Sequence, residues 1–145
     1  MGSTCKPAIW TEVNNRLAAR RYEQVVSKRF HSFIMNYHNR KFRPVSISEN
    51  SQTDGSTLFH YQQKGQIVTA EYSNATITYG HLVGLVDEKG VIDMRYHQVT
   101  TQGELMTGTC ISTPELLPTG KIRLHEKWQW TSGDKSAGES VLEEV

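Results

Sequence analysis

Only two cysteines, Cys5 and Cys110, and four prolines punctuate these 145 residues, and no long apolar run interrupts them. Two isolated thiols with no CxxC or Cys/His spacing exclude a disulfide framework and a zinc finger. They suit a reducing compartment. No stretch approaches the roughly 20 apolar residues of a membrane-spanning helix, and no secretory apolar segment follows Met1. A cytoplasmic protein with no membrane partner is expected. Nucleophile elbow, phosphate loop and dinucleotide fingerprint are also missing, so the sequence names neither a reaction nor a cofactor. His60, His81, His97 and His125 raise a metal reading, but no His-x-His pair occurs, and no metal site is expected.

What is present divides in two. The net charge of +1 hides an excess of four positive charges in residues 1–34 and of three negative charges in the rest. Within the basic part, Trp10, Val13, Leu17, Tyr22, Val25, Val26, Phe30 and Phe33 fall at helical spacing after Pro7, which suits a first helical turn. The spacing predicts an amphipathic helical extension over 1–34, ahead of a separate domain over 35–145. A basic helix suits nucleic acid or an anionic membrane, but no aromatic–basic interleaving accompanies it. Packing on its own domain, or across a homodimer, is the simpler reading, and no nucleic-acid partner is expected.

After Met35, β-rich runs recur between turn signals such as "KG", "SNAT", "DEKG", "TTQG", "PTGK" and "SGDK". Eight strands are predicted, near 41–49, 56–63, 66–73, 76–86, 91–99, 104–112, 121–131 and 137–144. "STPE" at 112–115 reads as a loop or a single helical turn. No helical period interrupts the strands, so neighbours are antiparallel. An all-β meander of this kind closes into a small lipocalin- or calycin-like barrel, which removes exposed edges.

Turn lengths then set the register, and register sets the faces. A two-residue Lys64-Gly65 turn places Tyr61 opposite Val68, and a turn at Asn74-Ala75 places Val68 opposite His81. Four-residue "DEKG" and "TTQG" loops place His81 opposite Tyr96 and Tyr96 opposite Thr107. This puts Tyr79, Val83, Leu85, Leu105 and Ile111 inside with Ile92 and Met94, and Glu71, Arg95, His97 and His125 in water. Strand seven, "KIRLHEKWQW", has Ile122, Leu124, Trp128 and Trp130 on its inner side, and Glu126 is the one carboxylate among them. A polar row of Tyr61, Val68, His81, Tyr96, Thr107 and Glu126 is expected across the interior.

A buried carboxylate is costly unless it is paired or neutralised. Tyr61, His81, Tyr96, Thr107, Glu126, Trp128 and Trp130 are therefore the candidate ligand-binding residues. Glu126 orients the ligand and the aromatic rings wall it. The expected function is non-catalytic binding of a small molecule in the barrel. Two alternatives stand beside it: a small enzyme using Glu126 as general acid or base with His81 or Tyr96, and a homodimeric scaffold with a filled core.

"AEYS", "RYHQV" and above all "RLHEKWQWTSG" resemble segments of a group of small bacterial β-rich proteins often labelled N-acetylglutamate synthase. The resemblance runs from Met35 to the end. Residues 1–34 fall outside it, as in a member carried on a mobile cassette. The label implies acetyl transfer, yet the chain lacks a Q/R-x-x-G-x-G/A loop and a helix following a strand, so acetyltransferase activity is not supported.

Overall fold

The computed structural model describes residues 14–21 and 35–145, and the chain divides into two compact units, Met1–Phe33 and Ile34–Val145. In the first unit residues 14–21 are helical and exposed, with Leu17 at 54%. Cys5 and the rest of the expected apolar stripe lie outside the described residues. Among those described, no helix is long and apolar enough to cross a membrane.

The second unit is a closed antiparallel barrel. Its strands are β1 Arg40–Ile47, β2 Phe59–Lys64, β3 Ile67–Tyr72, β4 Ile77–Val86, β5 Ile92–Thr100, β6 Leu105–Leu116, β7 Ile122–Trp130 and β8 Ala137–Glu144. Each pairs with its sequence neighbours, and β8 returns to β1. No strand is left with an unpaired edge, and no helix follows any of them. Residues 112–115, the expected loop, continue β6 and pair with β7, Pro114 opposite Leu124.

One end is plugged by aromatic rings. Tyr37 donates its hydroxyl to the Gly90 carbonyl at 2.6 Å. Its ring lies 6.4 Å from Phe42 and 6.1 Å from Tyr61, whose own centroids are 5.0 Å apart. All three are fully buried. The loops at 48–58, 73–76, 101–104 and 131–136 gather at the other end, where the barrel has its mouth.

The faces of two strands differ from expectation, and the hairpins explain why. In "DEKG", the Asp87 amide donates to the Val91 carbonyl at 2.9 Å and the Gly90 amide to Asp87 at 3.0 Å. The same pair of bonds closes Thr100–Glu104 and Leu117–Lys121, with Gly90, Gly103 and Gly120 at φ of 82°, 80° and 82°. This is the three-residue loop with a left-handed glycine in a bulge, where a four-residue loop was expected. Val86 thus meets Ile92 rather than Val91, and Val99 meets Leu105 rather than Glu104. Each one-residue slip reverses a face.

A further bulge between Ile77 and Tyr79 turns both Ile77 and Gly80 inward. On β4 the interior is Gly80, Leu82, Gly84 and Val86, while Tyr79, Val83 and Leu85 face out. On β6 it is Gly108, Cys110 and Ser112, while Leu105 and Ile111 are exposed. β5 and β7 keep their expected faces because the slips on either side of β4 and of β6 compensate.

Candidate functional site

β7 carries the centre of the site. Its alternation buries Ile122, Leu124, Trp128 and Trp130 and points Glu126 the same way. Across the ladder Glu126 is flanked by Ser112 on β6 and Ser140 on β8. Trp128 donates its indole N–H to the Ser140 hydroxyl at 3.0 Å. The Trp128 and Trp130 rings lie 6.1 Å apart, and Tyr96 stands edge-on to Trp130 at 5.2 Å. From the far wall Tyr72 donates to the buried Gln98 side-chain oxygen at 3.1 Å.

Together these groups line a cavity under the mouth, with Cys110 below and Ser51, Gln52 and Thr53 of the β1–β2 loop above. Asn74 ties that loop down by donating to the Gln52 carbonyl at 3.1 Å and the Thr57 hydroxyl at 2.9 Å. The cavity volume is about 50 Å³, far below the roughly 300 Å³ at which drug-sized pockets begin. It takes a small compound or one end of a longer one.

Three of the wall rings owe their pose to glycine. Tyr72 is paired with Gly80, Tyr96 with Gly108 and Trp128 with Gly138. A β-carbon added at any of these glycines would run into the ring opposite. Each aromatic side chain lies flat across the neighbouring strand because nothing projects from it.

The electrostatics centre on Glu126. No hydrogen bond or ion pair reaches its carboxyl among the described residues. It keeps an intermediate exposure through the cavity, but protein encloses it, and burial pushes its pKa from 4.5 up to about 8. Its negative charge in turn adds to burial in raising Tyr61, Tyr72, Tyr96 and Cys110. Two further polar atoms are buried without partners, the Tyr61 and Ser112 hydroxyls.

Of the seven candidate residues, Tyr96, Glu126, Trp128 and Trp130 line this cavity. Tyr61 lies in the plugged core beneath it. His81 and Thr107 do not belong to it. His81 pairs with His97 on the outer face, rings stacked at 5.2 Å, and exposed Thr107 shares a 2.8 Å hydrogen bond with Thr131. The β3–β4 pairing sets Val68 opposite Gly84 rather than His81, and the Gly103 bulge sets Tyr96 opposite Gly108 rather than Thr107, so the expected six-strand row does not form. Phe59, Tyr72, Gln98, Cys110 and Ser140 also line the cavity and were missed, and the glycines opposite Tyr72, Tyr96 and Trp128 are the signal that would have found that wall. The outer histidines have other partners: His60 with Asn39 at 2.7 Å and His125 with Glu115 at 2.7 Å. Among the described residues no cluster of three or more metal-ligating side chains occurs.

A family model described as avidin-like protein matches residues 35–145. The chain belongs to the avidin-like protein family. No curated protein matches it as a relative. The match spans the whole barrel, and an avidin-like barrel with a mouth of this kind fits the binding of small molecules in general. In this avidin-like barrel the unpaired Glu126 carboxyl and the two indoles line the same cavity.

Proposed function

We propose that the barrel binds a small molecule at its mouth without transforming it. The observation that carries this reading is the Glu126 carboxyl, unpaired beside Trp128 and Trp130 in a cavity that reaches solvent. A buried polar group without a partner costs roughly 1–3 kcal/mol, and a ligand that supplies the partner recovers that cost. Tryptophan fluorescence of the full chain, titrated with a panel of small polar compounds that includes biotin, tests it. Saturable quenching that Glu126→Gln weakens is the expected result. A spectrum unchanged by every compound refutes it. Residence in a reducing cytoplasm is part of the same proposal, in keeping with the free, buried Cys110 thiol.

A pKa of about 8 on Glu126 also favours a second reading, a general acid or base poised near neutral pH. Its partner is then Tyr96 rather than His81, which faces outward. Product formed from a bound compound, and lost in Glu126→Gln, separates this reading from binding alone. Homodimer formation is the third element of the proposal. It is supported by Ile67, Val83, Leu85 and Ile111, which are 50%, 44%, 62% and 44% exposed on the outer faces of β3, β4 and β6. Ile67 and Leu85 are direct partners across the ladder. A Leu85→Glu variant that stays monomeric where the parent dimerises supports that interface, and a parent monomeric at high concentration refutes it.

A further inference from the structure

The chemistry at the mouth is one-sided. Glu126 contributes a potential negative charge that meets no cation among the described residues, since burial alone displaces its pKa. The barrel arginines nearest in sequence are engaged elsewhere. Arg95 reaches Asp93 at 2.6 Å, and Arg123 reaches Glu143 at 2.7 Å, both on the outer face. Among the described residues, the other titratable groups coupled to Glu126 are neutral at physiological pH: Tyr61 on β2, Tyr72 on β3, Tyr96 on β5 and Cys110 on β6. The Ser140 hydroxyl, which lines the cavity beside Glu126, offers a further acceptor oxygen.

The walls suit the same charge sign. Aromatic faces attract cations through the ring quadrupole, tryptophan most strongly. Trp130 lies 5.2 Å from Tyr96 and 6.1 Å from Trp128, and the glycines opposite Tyr96 and Trp128 fix how their rings lie. An anionic ligand would meet a carboxylate and electron-rich rings with no positive side chain among the cavity-lining residues to receive it.

We propose that the ligand is a small organic cation, an alkylammonium or guanidinium group, with Glu126 as its counter-ion and Trp128, Trp130 and Tyr96 as its cage. This rests on the binding function proposed above and narrows it to one chemical class. A planar guanidinium donates in two directions at once, to the carboxyl and to a hydroxyl beside it. The 50 Å³ cavity admits such a head group and leaves any tail to run out beneath the β1–β2 loop.

Three nearly isosteric probes separate charge from shape: methylguanidinium, N-methylurea and acetate, titrated into the full chain at pH 8.5 and followed by tryptophan fluorescence. Methylguanidinium is expected to bind at least about tenfold more tightly than N-methylurea, and acetate not at all. Because a proton competes for the same carboxyl, methylguanidinium affinity should fall by up to about tenfold per pH unit below pH 8. The affinities of the other two should stay level. Glu126→Gln should erase the preference for charge, and if that variant fails to fold, the pH dependence of the parent protein still distinguishes a charged counter-ion from a neutral wall. N-Methylurea or acetate binding as tightly as methylguanidinium overturns the cation assignment while leaving a binding site in place. No response to any of the three, nor to the wider panel, removes the binding function and the cation together.

Discussion

Replacing Glu126 by glutamine should stabilise the protein at neutral pH, and the gain should depend on pH in a defined way. In the unfolded chain this carboxyl ionises with a pKa of 4.5, whereas burial holds it to about 8 in the fold. Below pH 4.5 both states are protonated and the group contributes nothing to pH dependence. Between the two values the unfolded state has released the proton and the folded state has not, so the unfolded state binds fewer protons and stability falls as pH rises. At about 1.4 kcal/mol per pH unit, the loss at pH 7 is on the order of 3 kcal/mol. Above pH 8 both states are ionised and the loss levels off. Glutamine keeps the shape and removes the ionisation. Urea unfolding of both proteins at pH 5, 6, 7, 8 and 9, followed by tryptophan fluorescence and circular dichroism, reads the difference directly. The stability gap should widen in favour of Glu126→Gln from pH 5 to pH 8 and then stay constant. Two parallel curves would mean an ordinary, solvated carboxylate, and would remove the physical basis for the site.

The glycine opposite Tyr96 offers a second test. Gly108→Ala should push the Tyr96 ring toward the cavity, cost about 1–3 kcal/mol by overpacking, and weaken ligand binding more than Gly55→Ala, whose β-carbon meets only the Pro44 carbonyl oxygen, at 3.7 Å; equal effects in melting and in fluorescence titration would refute the cage geometry. A chain beginning at Met35 should keep its β-rich circular dichroism, because among the described residues every member of the buried core lies between Tyr37 and Leu142. If that truncation is unfolded, the division between extension and barrel is wrong. The Cys110 thiol, 4% exposed and raised by burial and by Glu126, should resist a thiol reagent until denaturant is added; rapid native labelling would show an interior more open than this one.

How much of this was legible turns on which strands state their faces. β7 and β5 do. Ile122, Leu124, Trp128 and Trp130 can lie only inward, and Glu126 travels with them. Ile92, Met94 and Tyr96 behave alike on β5. These two strands supply Tyr96, Glu126, Trp128 and Trp130 to the cavity. β4 and β6 do not, because both of their faces look apolar. On β4, Ile77, Leu82 and Val86 are buried while Tyr79, Val83 and Leu85 are exposed. On β6 the outward Leu105 and Ile111 are larger than the inward Gly108, Cys110 and Ser112. Hydrophobicity alone therefore selects the wrong face, and one misread glycine bulge is enough to produce the error. Thr107 was carried outward by that slip, and His81 by a β3–β4 pairing that sets Val68 opposite Gly84.

Volume, rather than hydrophobicity, is what settles such strands. A barrel interior has a fixed cross-section that side chains must fill closely, so large rings on one strand require small residues on the next. Tyr72, Tyr96 and Trp128 face Gly80, Gly108 and Gly138, and the same complementarity sets Met94 against Gly84. In "ITYGHLVGLV" the two glycines lie four residues apart, on one face, and they mark it as the inner one. The outer face is then left holding Tyr79, Val83 and Leu85, an apolar strip that the barrel core does not explain and that contact with a second subunit would.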